Sequence, residues 1–197
     1  MTLKPIASLA VVVALCCSCS KSIVPQDGPE KQVAERAFAS GGNIDMQLDA
    51  GNYAIRAASG DQIRVAFAGN AGNATAEVTS GGPQATIAVK DTPHNNFRAS
   101  IEVPKTSNVT IHVKAGNLEL GGITGDKDVT STAGNVEIAA GNPDDYGSAD
   151  GSVTAGDIDA GAFGKAASGV NPHFEWTGTG KYKLHTRLGA GNLVLKK

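Results

Sequence analysis

A glycine followed by asparagine or aspartate recurs along this chain in nine-residue steps, and that rhythm limits what the chain can fold into more than any other feature. Gly42, Gly51, Gly60 and Gly69 are spaced nine apart, as are Gly116, Gly125 and Gly134. The residues that follow them are Asn43, Asn52, Asp61, Asn70, Asn117, Asp126 and Asn135, and Gly191-Asn192 closes the chain in the same way. Glycine enters the φ > 0 region without steric cost, and Asn and Asp are the next most tolerant residues there. Their side-chain oxygens can also bond nearby backbone N–H groups. Each pair therefore reads as a corner.

After each corner comes a short alternation of apolar and polar residues: Ile44 and Met46, Tyr53 and Ile55, Ile63 and Val65, Leu118 and Leu120, Val136 and Ile138, Leu193 and Leu195. Period two means a strand with one face buried and one wet. No segment beyond the N-terminal region carries a sustained helical stripe. Glu30 to Ala39 reads either as a short helix or as a leading edge strand carrying Val33 and Phe38.

Strands joined by corners at this step allow an antiparallel meander, in which each corner reverses the chain, or a parallel solenoid, in which each corner bends it and about two units make a coil. Tight hairpins prefer the order Asn-Gly, whereas this chain uses Gly-Asn eight times. The sextet Ala115-Gly116-Asn117-Leu118-Glu119-Leu120 returns eighteen residues later as Ala133-Gly134-Asn135-Val136-Glu137-Ile138. In a solenoid that recurrence stacks like on like in adjacent coils. Both observations favour bends over reversals, so the expectation is an all-β, parallel β-solenoid over residues 33–197. One consequence is unfavourable: Glu119 would stand beside Glu137, with like charges one strand spacing apart. Asn142 to Asp150 and Gly161 to Pro172 read as loops, followed by a last strand set around Phe174, Trp176, Tyr182 and Leu184.

The N-terminus is of another kind. Lys4 and the apolar run Ile6 to Leu15 form a secretory signal, too short to span a bilayer comfortably. All three cysteines of the chain follow directly: Cys16, Cys17 and Cys19. Their cluster resembles the lipobox of bacterial lipoproteins. Cys19, preceded by the small Ser18, is the best-placed residue for lipidation, while Cys16 and Cys17 follow bulkier neighbours. Residues 1–18 are assigned to the signal and 19–32 to a tether. This predicts a protein of the cell envelope, membrane-anchored through an N-terminal lipid and facing the periplasm or exterior; simple secretion is the alternative.

Little in the rest of the chain points to catalysis. The net charge of −2 gives no reason to expect nucleic acid as a partner. His94, His112, His173 and His185 lack metal-ligand spacing, and no cysteine remains in the folded part for zinc. Calcium-binding nonapeptides share the period but need carboxylates where this chain mostly has Asn. Neither a metal nor a cofactor is expected. Asp144, Asp145, Asp150, Asp157 and Asp159 are the densest acidic group, and Trp176 with Tyr182 are the candidate ligand contacts. Those two aromatics could stack on a sugar or close one end of the core.

The Gly-Asp/Asn-hydrophobic units at 115–138, the step Ile101-Glu102-Val103-Pro104, and the endings Trp176 to Lys183 and Gly189 to Leu195 together resemble the bacterial putative-adhesin domains of head-GIN or autotransporter-adhesin-like type. The resemblance covers roughly residues 33–197 and specifies fold better than function. It implies a right-handed β-solenoid on an exported envelope protein, with no catalytic residues. The expected function is thus non-enzymatic: an adhesin-like or scaffold lipoprotein that meets a cell-surface protein or polysaccharide. The alternative is a glycan-binding or glycan-cleaving β-helix that uses Trp176, Tyr182 and the acids. Glycans would then meet those residues in one groove.

Overall fold

A computed structural model describes residues 30–197. The expected signal segment 1–18, Cys16, Cys17 and Cys19, and the expected tether up to residue 29 lie outside the described residues. The described chain is all-β, with fourteen strands in one continuous sheet and two single 3₁₀ turns, Pro143–Asp145 and Gly161–Phe163.

The expected bends are present. β2 (Asn43–Leu48) turns into β3 (Gly51–Ala57), β6 (Gln84–Lys90) precedes β7 (Phe97–Val103), and β8 (Asn108–Val113) turns into β9 (Gly116–Gly121). In β10 (Lys127–Ala139), β11 (Tyr146–Ala160) and β14 (Tyr182–Lys196) the corner lies inside one long strand. The first halves of these six layers form one parallel ladder and the second halves another. Like falls on like: Asn135 pairs with Asn117, Val136 with Leu118 and Glu137 with Glu119.

The stacking order is not the chain order. β2 lies between β6 and β8, β3 lies between β7 and β9, and β14 lies between β10 and β11, parallel to both. Ala133-Gly134-Asn135-Val136 of β10 matches Ala190-Gly191-Asn192-Leu193 of β14 in register. The last strand therefore joins the layer it most resembles rather than extending the end of the stack.

Not every glycine step is a bend, and this corrects the uniform reading of the sequence. Gly60 precedes and Gly69 ends β4 (Gln62–Gly69), which runs antiparallel to β7 and to β1 (Lys31–Ala37). At this end β4 and β1 cap the second ladder, so the chain reverses although the nine-residue step persists. β5 (Thr75–Gly81) caps the first ladder as a hairpin with β6. At the far end β12 (Lys165–Val170) and β13 (His173–Thr177) pair antiparallel with the two halves of β11. Each of the two stretches read as loops holds a strand segment: Asn142 to Asp150 contains the start of β11, and Gly161 to Pro172 contains β12. β1 is the leading edge strand of the two alternatives, and it approaches β5, where Arg36 Nε donates to the Val78 carbonyl at 3.3 Å.

Inward residues of both ladders form one core. Met46, Ile55, Ile63, Val65, Ile87, Ile101, Ile111, Val129, Ile138 and Leu193 are fully buried. The scarce aromatics gather at the two ends. Phe97 meets Tyr53 and Phe67 edge-on, with centroids 6.1 and 5.0 Å apart. At the far end Phe163 meets Tyr146 at 5.6 Å, Phe174 at 6.2 Å and Trp176 at 5.2 Å.

Candidate ligand-binding face

Five corners share one stack. Gly51, Gly116, Gly134, Gly191 and Gly156 follow one another in register across β3, β9, β10, β14 and β11. A Cβ on Gly116 would lie 1.9 Å from the Gly51 carbonyl oxygen, and one on Gly134 would lie 1.7 Å from that of Gly116. The last four hold φ between +113° and +143°. Backbone layers touch here, so no side chain fits.

The next residue in each layer turns outward. Asn117 Nδ2 donates to Asn52 Oδ1 at 2.8 Å, Asn135 Nδ2 to Asn117 Oδ1 at 3.0 Å, and Asn192 Nδ2 to Asn135 Oδ1 at 3.0 Å. Asn52 ends the ladder on the Phe97 carbonyl at 3.3 Å, and Asp157 follows Asn192 in register. A shorter ladder marks the opposite corner. There Asn108 Nδ2 donates to Asn43 Oδ1 at 2.9 Å, and the Asp126 N–H donates to Asn108 Oδ1 at 2.9 Å.

Two residues beyond the long ladder, on the same face, stand Ala54, Glu119, Glu137, Val194 and Asp159. The stacked glutamates predicted by the repeat are real, and each has a basic neighbour. Arg56 comes within 3.9 Å of Glu119 Oε2, and Lys196 bonds Glu137. Between the Asn and Glu rows runs a groove of 360 Å³, to which Val194 adds apolar surface, while Leu118 and Val136 between the rows turn inward to the core. Glu119 Oε2 is buried and accepts no hydrogen bond.

Other polar groups hold the fold together. Lys127 points into the core, only 3 % exposed. Its Nζ donates to the Gly125 carbonyl at 3.1 Å and to the Tyr146 hydroxyl at 2.9 Å. That hydroxyl in turn donates to the Ala140 carbonyl at 2.9 Å. Burial pulls the Lys127 ammonium down to about 8 and pushes the Tyr146 phenol up to about 12. Burial likewise raises Tyr53, whose hydroxyl donates to the Asp49 carbonyl at 2.9 Å. The hydrogen bond from Lys114 Nζ at 2.6 Å lowers Asp49. On the outer face of the first ladder His185 Nδ1 meets Asp150 Oδ2 at 2.5 Å. Among the described residues no three His, Asp or Glu side chains converge as metal ligands.

The candidate ligand contacts of the sequence lie at the far end of the stack. Trp176 is half-buried against Phe163, and Tyr182 meets Tyr146 at 6.5 Å. The acids are dispersed. Asp144 and Asp145 occupy a 3₁₀ turn, Asp150 pairs with His185, and Asp157 and Asp159 lie on the second ladder. The corner stack also contains a member that the nine-residue step misses, Gly156. The signal that finds it is the tetrad Ala-Gly-Asn/Asp followed by a large apolar residue: Ala50 to Tyr53, Ala115 to Leu118, Ala133 to Val136, Ala155 to Ile158 and Ala190 to Leu193.

No family model matches the chain, and no curated protein matches it. Among solved structures the chain is similar in fold to a putative cell adhesion protein from Clostridium sporogenes. That similarity has a TM-score of 0.51 and 11 % identity, and covers 85 % of this chain and 99 % of the other. A second match, to a putative adhesin from Bacteroides fragilis, has a TM-score of 0.23 and 8 % identity over 86 % of this chain and 98 % of the other.

Proposed function

We propose that this chain is a non-enzymatic cell-envelope lipoprotein: a right-handed solenoid tethered through Cys19 that presents its repeated outer face as an adhesin-like module. The observation that carries this reading is the asparagine ladder, which gives four successive layers the same outward amide, three of them lining one groove. A surface built by repetition suits an extended ligand better than a single reacting group. The fold shared with the clostridial cell adhesion protein agrees with the same use. The polar groups reported above stabilise corners, strands and strand ends, which is the work of a rigid support.

Two measurements test it. Cys19→Ala should move the protein from the membrane fraction to the soluble fraction, and unchanged fractionation would remove the lipid from this position. Cells displaying the chain should adhere to a surface on which cells lacking it do not. Equal adhesion would overturn the adhesin-like role.

A further inference from the structure

The groove beside the asparagine ladder has a chemistry that narrows its occupant, given the adhesin-like reading on which this inference rests. Each carboxamide has two N–H hydrogens and two acceptor lone pairs. The ladder uses one of each at Asn117 and Asn135. The groove is thus walled by donors and acceptors repeating at the strand spacing of about 4.8 Å. On its other side stand Glu119 and Glu137, outward residues whose side chains are only 27 % and 16 % exposed. Glu119 Oε2 itself is buried beside Arg56, 3.9 Å away, so a ligand meets Glu119 through the part of its side chain that solvent reaches.

Charge decides which donor. Two carboxylates face two bases, Arg56 and Lys196, so the groove is neutral. A cation would compete with Arg56 and Lys196, and an anion would meet the glutamates. A hydroxyl does neither: it donates to a carboxylate of the glutamate row while its oxygen accepts from an asparagine N–H. We propose that this groove binds a neutral linear saccharide laid along the stacking axis, with successive sugar units on the two adjacent Asn–Glu layers, Asn117–Glu119 and Asn135–Glu137. Val194 receives the C–H face of a ring at the end of the groove. The site lies on the second ladder, away from Trp176 and Tyr182.

The test uses the full processed chain with hexamers of β-1,4-linked glucose and of β-1,4-linked N-acetylglucosamine as probes, and spermine as the cationic control, followed by titration calorimetry. At least one hexamer should bind, with Glu119→Gln and Asn135→Ala weakening it at least tenfold and Trp176→Ala leaving it unchanged. Should either groove variant unfold by circular dichroism, Val194→Tyr fills the groove without touching the ladder and should abolish binding. No binding of either hexamer, binding of spermine in their place, or a loss that follows Trp176 instead of Glu119 would each overturn the proposal. Adhesion by cells whose protein binds no hexamer sinks the saccharide and leaves the adhesin-like role standing. Hexamer binding without adhesion does the reverse.

Discussion

Gly134 lies so close to Gly116 in the neighbouring layer that a β-carbon on it would sit 1.7 Å from the Gly116 carbonyl oxygen. Its φ of +126° excludes other residues as well. Gly60 has the same place in the nine-residue step but open space around it and no positive φ. Gly134→Ala should therefore lose on the order of 3 kcal/mol or more. Gly60→Ala should be neutral, or stabilising by up to about 1 kcal/mol through the unfolded state. Urea unfolding of the two variants side by side measures the difference. Equal midpoints would mean that the layers do not touch at Gly134.

Asn135 is an inner rung of the amide ladder, bonded to Asn117 and Asn192 at 3.0 Å each. The rung is exposed, so its loss leaves partners that water can reach. Asn135→Ala should cost about 1 kcal/mol and leave the chain folded, as its use in a binding assay requires. A loss several times larger would make the ladder a main determinant of stability.

The buried lysine gives stability a distinctive pH profile. Lys127 has its folded pKa lowered from 10.5 to about 8 by burial. Between those values the unfolded chain holds a proton that the folded chain has released, so stability rises with pH, approaching a gain on the order of 3 kcal/mol. Tyr146 works the opposite way. Its folded pKa is raised from 10.0 to about 12, so above pH 10 the unfolded state loses its proton first and stability falls. Tyr53, raised for the same reason, adds to the fall. Denaturation midpoints should climb from pH 8, peak near pH 10 and decline beyond it. Lys127→Met should flatten the climb and keep the decline. A wild-type profile without that climb would place the Lys127 amine in water.

The parallel layers were legible because two signals agree: the Gly-Asn order and the eighteen-residue return of a sextet whose members then pair one to one. The antiparallel caps were not. β4 has the same glycine step and the same alternation as a repeat unit, and only its pairing with β7 and β1 shows that the chain has reversed. Strand direction is a property of partners, which local sequence does not encode. The groove was half legible. The repeat predicts Glu119 beside Glu137, but Lys196 reaches Glu137 from the far end of the chain, because β14 stacks on β10 out of chain order. That insertion was hidden in a motif shared by five segments, any two of which could have been neighbours.

The place of β14 between β10 and β11 has a bearing on biogenesis. Synthesis delivers this segment after β10 and β11, so the two long edges that it joins stay open until it has been made. A product ending at Thr177 should be trapped with those edges bare and prone to self-association. A synthetic peptide of residues 178–197 added in trans should close the gap and restore the native circular dichroism spectrum. If the shortened chain instead folds and stays monomeric alone, the terminal segment is an ornament and not a keystone.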